Sequence, residues 1–269
     1  MDLVVVRGGG DLASGIVHRL YKSGFKIVVL EIEKPMCIRR TVSFSEAIYS
    51  GEVEVEGIKG KLARSIDEIW DIIEEDSVPV YIDPNGESID ILGPLAVVDA
   101  IIAKVNLGTN RGMAPITIGV GPGFEAGVDV DLVIESKRGH NLGKVIYKGS
   151  ASPNTGIPGT TLGYREERVL RAPTNGILKS NYSIGDKVNK GDIICYVGGM
   201  EVVAEIGGIL RGILKEGLYA TNGLKIGDID PRGEIENTFT ISDKARAIGG
   251  GVLEAILYWQ QKEGVEYVK

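Results

Sequence analysis

At 269 residues and 43% hydrophobic, with a formal net charge of −7, the chain can bury one large core or two modest ones. That acidity argues against a general nucleic-acid or anionic-membrane role, and no apolar run approaches the ~18 residues that a bilayer span requires. Its 38 glycines are about twice the average usage and point to many tight turns and close backbone approaches.

Met1-Asp2 leads straight into an apolar strand with no basic leader, so a cytoplasmic location is expected. Leu3 to Val6 form that strand, Gly8-Gly9-Gly10 a tight turn, and Ala13, Ile16, Val17 and Leu20 recur at helical spacing. Strand, glycine turn and helix make the opening crossover of a nucleotide-binding fold, and Gly8-x-Gly10-x-x-Ala13 fits its G-x-G-x-x-G/A fingerprint. Glycine lets a phosphate approach the backbone, and the helix start, with Asp11 in its first turn, offers unpaired N–H groups. The second strand, Ile27 to Leu30, ends in Glu31, where an acidic group would take ribose hydroxyls. Packing alone is the competing explanation for the glycines.

Arg39 and Arg40 follow, at the place where a dinucleotide fold handles a 2′-phosphate, although Glu31 argues the opposite way. They hold either an anionic substrate or partner, or nothing but solvent. Ser43-Phe44-Ser45-Glu46 reads as a capping box, Glu52 to Val55 as a strand, Ser65 to Ile73 as a helix and Val78 to Asp83 as a strand. Ala96 to Val105 reads as an apolar helix, and Ile116 to Val120 as a strand ending in Gly121-Pro122-Gly123. Open α/β sheets place ligands at such carboxyl-end loops. After a strand at Val130 to Ile134 comes a loop with His140, an acid/base or ligand contact if it is not merely structural. Cys37, Cys195, His18 and His140 lack metal-ligand spacing, so no metal site is expected, and no catalytic nucleophile stands out.

Beyond a Ser/Pro/Thr/Gly-rich linker the grammar changes. Shifted by 32, Ala172, Gly176, Ile177, Leu178, Gly185, Gly191 and Ile194 align with Ala204, Gly208, Ile209, Leu210, Gly217, Gly223 and Ile226, an internal duplication. Ala172-Pro173-x-x-Gly176 and the run from Gly185 to Asp192 resemble the biotinyl/lipoyl-like barrel-sandwich hybrid. The hairpin from Val197 to Val202 lacks that family's modified lysine, which disfavours a carrier role. Gly249-Gly250-Gly251 either open the final helix beside Lys244 and Arg246 as a second anion site, or pack tightly. The expected fold is α/β: a Rossmann-like domain with a parallel sheet at 1–150 and a linker at 151–166. A duplicated all-β barrel-sandwich module follows at 167–235, and a C-terminal segment and helix at 236–269 pack back on the first domain.

Arg7 to Ala13, Ile38 to Phe44, Gly121 to Phe124, Arg138 to Gly143, Lys225 to Gly233 and Ser242 to Gly251 together resemble the selenium-dependent molybdenum hydroxylase system accessory family. The resemblance implies a maturation role with a client molybdenum hydroxylase and a nucleotide or molybdenum-pterin ligand; the alternative is an NAD(P)-dependent oxidoreductase. Under either, NAD(P), another nucleotide or the molybdenum cofactor would contact Gly8, Gly9, Gly10, Asp11, Glu31, Arg39, Arg40, Gly121, Gly123 and His140. No nucleic-acid or membrane partner is expected, and a homo-oligomer is compatible with the chain.

Overall fold

The computed structural model of the protein describes residues 2–263. It divides into two compact units: Met1–Glu33, Phe44–Asn154 and Ile241–Lys269 form the first, and Lys34–Ser43 with Thr155–Thr240 the second.

In the first unit, strand β1 (Leu3–Arg7) is buried along its whole length, as a continuous apolar run in the middle of a sheet must be. Helix α1 (Asp11–Lys22) follows, then β2 (Lys26–Glu31) and a short helix α2 (Ala47–Ser50). Strands β3 (Glu52–Val55) and β4 (Ile58–Ala63) form a hairpin. Its two-residue turn is Glu56-Gly57, both at positive φ, the backbone that a right-twisted hairpin favours. Helix α3 (Ile66–Glu74) is capped by the Ser65 hydroxyl, which accepts from Glu68 N–H at 3.2 Å. Next come β5 (Val78–Ile82), α4 (Ile89–Leu92), β6 (Ala96–Asp99), β7 (Ile116–Val120), β8 (Glu125–Ala126), β9 (Leu132–Ile134), β10 (Val145–Ile146) and β11 (Gly149–Ser150). Strands β8 and β11 pair separately; the other nine form one sheet in the order β10-β9-β7-β6-β1-β2-β5-β4-β3. Neighbouring strands from β9 to β4 in that order run parallel, while β3 and β10 pair antiparallel at the two edges.

The second unit holds eight strands: β12 (Val169–Arg171), β13 (Gly176–Ser180), β14 (Lys187–Val188), β15 (Ile193–Val197), β16 (Met200–Val203), β17 (Gly208–Ile213), β18 (Tyr219–Ala220) and β19 (Lys225–Asp230). They make two four-stranded antiparallel sheets, β12-β19-β17-β14 and β16-β15-β13-β18. Each sheet takes two strands from each copy of the 32-residue duplication. Equivalent positions are core in both copies: Leu178 and Leu210, like Ile194 and Ile226, have no exposed surface. Residues 34–43 complete this unit, with the Ile38 carbonyl lying where any side chain on Gly212 would sit, 2.7 Å from its Cβ position.

Three expectations are corrected. The fold is not a parallel Rossmann-like domain followed by a barrel-sandwich module. It is a mixed nine-stranded sheet with antiparallel edges, the β8–β11 pair and two four-stranded antiparallel sheets, because the β3–β4 hairpin and the β9 to β10 return reverse the chain at both margins. Residues 96–105 are not a helix. Ala96 to Val98 are fully buried between β1 and β7, whereas Val105 is 59% exposed, and a short apolar run carries no periodicity that separates strand from helix. The final helix is not opened by Gly249 to Gly251: α5 spans Asp243–Glu263, with those glycines in its interior.

Candidate ligand site at the carboxyl edge of the first sheet

Parallel pairing brings the carboxyl ends of β1, β2, β5, β6, β7 and β9 to one edge. That edge therefore collects the Gly8–Gly10 turn, Glu31, Asp83, Asp99, Gly121–Gly123 and Glu135.

Most of these groups are engaged by the chain itself. Gly8, at φ +93°, has the Ala100 and Ile101 backbone against its Cβ position, and Gly9 has Ser45 N at 2.8 Å. Gly9 N–H donates to Glu31 Oε2 and Ile32 N–H to Glu31 Oε1, both at 2.8 Å. Burial pushes the Glu31 carboxyl above its ordinary range, and these two donors only partly oppose it. Gly121 leaves room for the Ser136 hydroxyl and Gly123 for the Lys104–Val105 backbone. Arg7, 1% exposed, donates to the Thr109 hydroxyl and the Pro84 carbonyl and lies 3.8 Å from Asp99. Thr109 in turn donates to Asp99 at 2.6 Å. This buried group fastens the loop that follows β6.

The start of α1 lies at this edge too. Gly10 is the N-cap in extended backbone (φ −67°, ψ 179°), with no side-chain cap, so the helix presents first-turn N–H groups that no helical carbonyl reaches. Helix α5 runs alongside in the same direction: Gly15 packs against Ala245, and Gly249 against Gly15 and Arg19. Its start is therefore at the same edge, capped by Ser242, whose hydroxyl accepts from Ala245 N–H at 3.2 Å. Lys244 occupies its first turn, a place where the helix dipole favours acids. The lysine is half-buried, and its side chain makes no hydrogen bond or ion pair among the described residues. Burial, and next the Arg138 guanidinium, hold its amine below the usual lysine range against the opposing pull of Asp11, Glu135 and Asp243. Arg138 is itself held by Asp243 in a two-pronged pair at 2.7 and 3.0 Å.

The structure thus brings Gly8, Gly9, Gly10, Asp11 and Glu31 together, with Gly121 and Gly123 on the same sheet edge. His140 lies exposed in the loop after β9. Arg39 and Arg40 belong to the second unit, where Arg39 donates to the Asn237 and Thr240 carbonyls and Arg40 to the Ile213 carbonyl, each at 3.0 Å. Sequence reasoning underrated Lys244 and missed Glu135. The available signal was a lysine two residues after the capping serine, against the dipole. Gly249 and Gly251 pack on Gly15 and Gly143 rather than opening a helix. Arg246 pairs with Glu56 at 2.7 Å. Among the described residues no helix is long and apolar enough to cross a membrane.

No family model matches the chain. The Escherichia coli (strain K12) protein described as "Uncharacterized protein YqeB" is 52% identical over 268 residues, covering 100% of this chain and 49% of that protein. The chain therefore spans about half the length of the curated relative it matches. Similar solved structures include an aspartoacylase family protein from Mesorhizobium loti (9% identity, 85% and 84% of the two chains covered, TM-score 0.28). A succinylglutamate desuccinylase/aspartoacylase from Rhodobacter sphaeroides (10%, 78% and 59%, 0.24) and the ectoine utilization protein EutE from Ruegeria pomeroyi (8%, 85% and 86%, 0.26) are others. TM-scores this low fix neither fold nor activity for this chain. The expected membership of the selenium-dependent molybdenum hydroxylase accessory family is corrected: no family model matches the chain, and neither the relative nor the structures named above carry that family's name. The maturation role, the selenium dependence and the NAD(P)-dependent oxidoreductase alternative fall with it.

Proposed function

We propose that the first unit binds a small phosphate-bearing molecule, a nucleotide being one such form, where α1 begins. The observation that carries this reading is the uncapped helix start at Gly10 with the Lys244 amine set at the same edge. An arriving phosphate would bond the first-turn N–H groups, and its charge would favour the protonated Lys244 amine. A cytoplasmic setting belongs to the same reading, where Cys37 and Cys195 stay as thiols.

Gly10→Asp tests it. The backbone at Gly10 is already that of an ordinary N-cap, and aspartate is a preferred cap, so the variant folds with stability equal to or a few tenths of a kcal/mol above the parent. Its carboxylate would occupy the anion position. Calorimetry with phosphate, pyrophosphate and ATP should show binding to the parent and none to the variant. Equal binding to both, or none to the parent, sinks the reading.

A further inference from the structure

We infer that two copies of this chain dimerise through the outer face of the β16-β15-β13-β18 sheet, about a two-fold axis running along its strands.

Alternation and register define that face. Leu178, Val197, Val202 and Ala220 are buried on the core side, so Ile177, Lys179, Tyr196, Glu201 and Tyr219, each next to one of them along a strand, point outward. Cross-strand pairing sets Tyr219 beside Ile177, and these two are 56% and 47% exposed. It also sets Lys179, Tyr196 and Glu201 in one row across three strands. Lysine and glutamate end two strand spacings apart, about 10 Å, too far to pair with each other.

The surface that this row fits is its own copy reversed. A two-fold axis along the strands through Tyr196 turns the row end for end. Each Lys179 then lies over the partner's Glu201, and the two Tyr196 rings meet between the charge pairs. That is the self-complementarity an isologous interface requires.

The duplication shows the corresponding face already covered in the other sheet. A shift of 32 maps this sheet strand for strand onto β12-β19-β17-β14, with Arg211 in place of Lys179 and Asp228 in place of Tyr196. There the chain closes over its own face: those side chains are 14% and 5% exposed, and the Asn237 carbonyl accepts from Arg211 Nε at 3.4 Å. On the sister sheet Lys179 and Glu201 are exposed instead. Four strands span only about 19 Å, so the dimer belongs to the small, weak class of interfaces.

Sedimentation velocity on the full chain from about 1 to 200 μM tests this. The parent should pass from monomer to dimer across that range, and added salt should weaken the dimer. Lys179→Glu leaves an acid at both ends of the row and Glu201→Lys a base at both. Each variant alone should self-associate at least about tenfold more weakly, with its melting temperature unchanged. Mixed in equal amounts, the two should dimerise with one another as tightly as the parent does with itself. A parent that stays monomeric throughout, its face being bare or kept for a different protein, overturns the inference. So do single variants that dimerise like the parent, which would place the contact elsewhere, and a mixture that forms no dimer.

Discussion

Lys244 and Asp230 illustrate how one side chain makes stability depend on pH, and they do so with opposite sign. Asp230, 2% exposed on β19, is engaged by Arg232 at 2.6 Å and faces Arg211 at 3.8 Å. Burial alone would raise its carboxyl, but the Arg232 hydrogen bonds and charge outweigh burial and hold it below its ordinary 3.8. A depressed acid stabilises the fold above the unfolded value, and that contribution disappears as pH falls through the folded one. Asp230→Asn should therefore melt lower than the parent at neutral pH, with the gap closing below pH 3.8. For Lys244 the folded amine gives up its proton before the unfolded one does. Stability then rises with pH from its folded value toward the ordinary 10.5. Urea titrations should show the parent gaining on Lys244→Met between neutrality and pH 10.

At the level of elements, the α1–α5 pair depends on where glycine is and is not required. A Cβ on Gly249 would meet the Gly15 carbonyl oxygen at 2.6 Å, so two backbones touch there and nothing flexible can give way. Gly250, on the same helix, has open space around its Cβ position. Gly249→Ala should cost about 1–3 kcal/mol by overpacking, whereas Gly250→Ala should gain about 0.5–1 kcal/mol from helix propensity. Thermal melts of the two variants moving in the same direction would refute this account. The helix pair also shows what the sequence makes legible. The β1-turn-α1-β2 start is local, written in apolar runs and glycine spacing, and so is the duplication in the second unit. The helix at 96–105 was misread because Ala96 to Val98 are apolar for a tertiary reason, burial between β1 and β7, which no local pattern shows. The same limit applied to the site. Gly8 and Gly9 lie in the glycine turn and Gly121 and Gly123 in a strand-end loop, both read as ligand-binding, yet each admits a neighbouring segment of chain. Lys244 joins them only because residues more than two hundred positions apart pack as parallel helices.

Across the whole molecule, neither unit is a continuous stretch of sequence. The first needs Ile241–Lys269 as well as its opening 154 residues less 34–43, and the second needs those ten. Helix α5 places Ala245, Ile248, Val252, Ala255 and Ile256 in the core, all with no exposed surface. At about 1–3 kcal/mol for each large apolar side chain, their loss exceeds what a marginally stable domain can spare. A fragment of residues 1–154 should accordingly show no cooperative unfolding by circular dichroism, and joining 241–263 to it through a flexible linker should restore one.

That interleaving also governs how such a chain can change over generations. The backbone passes between the two units four times, at 33/34, 43/44, 154/155 and 240/241. A recombination event with a single crossover therefore cannot exchange one unit and leave the other intact, for pieces of the first unit lie on both sides of every breakpoint. Inheritance must treat the two as one cassette, so substitutions in either accumulate under joint selection.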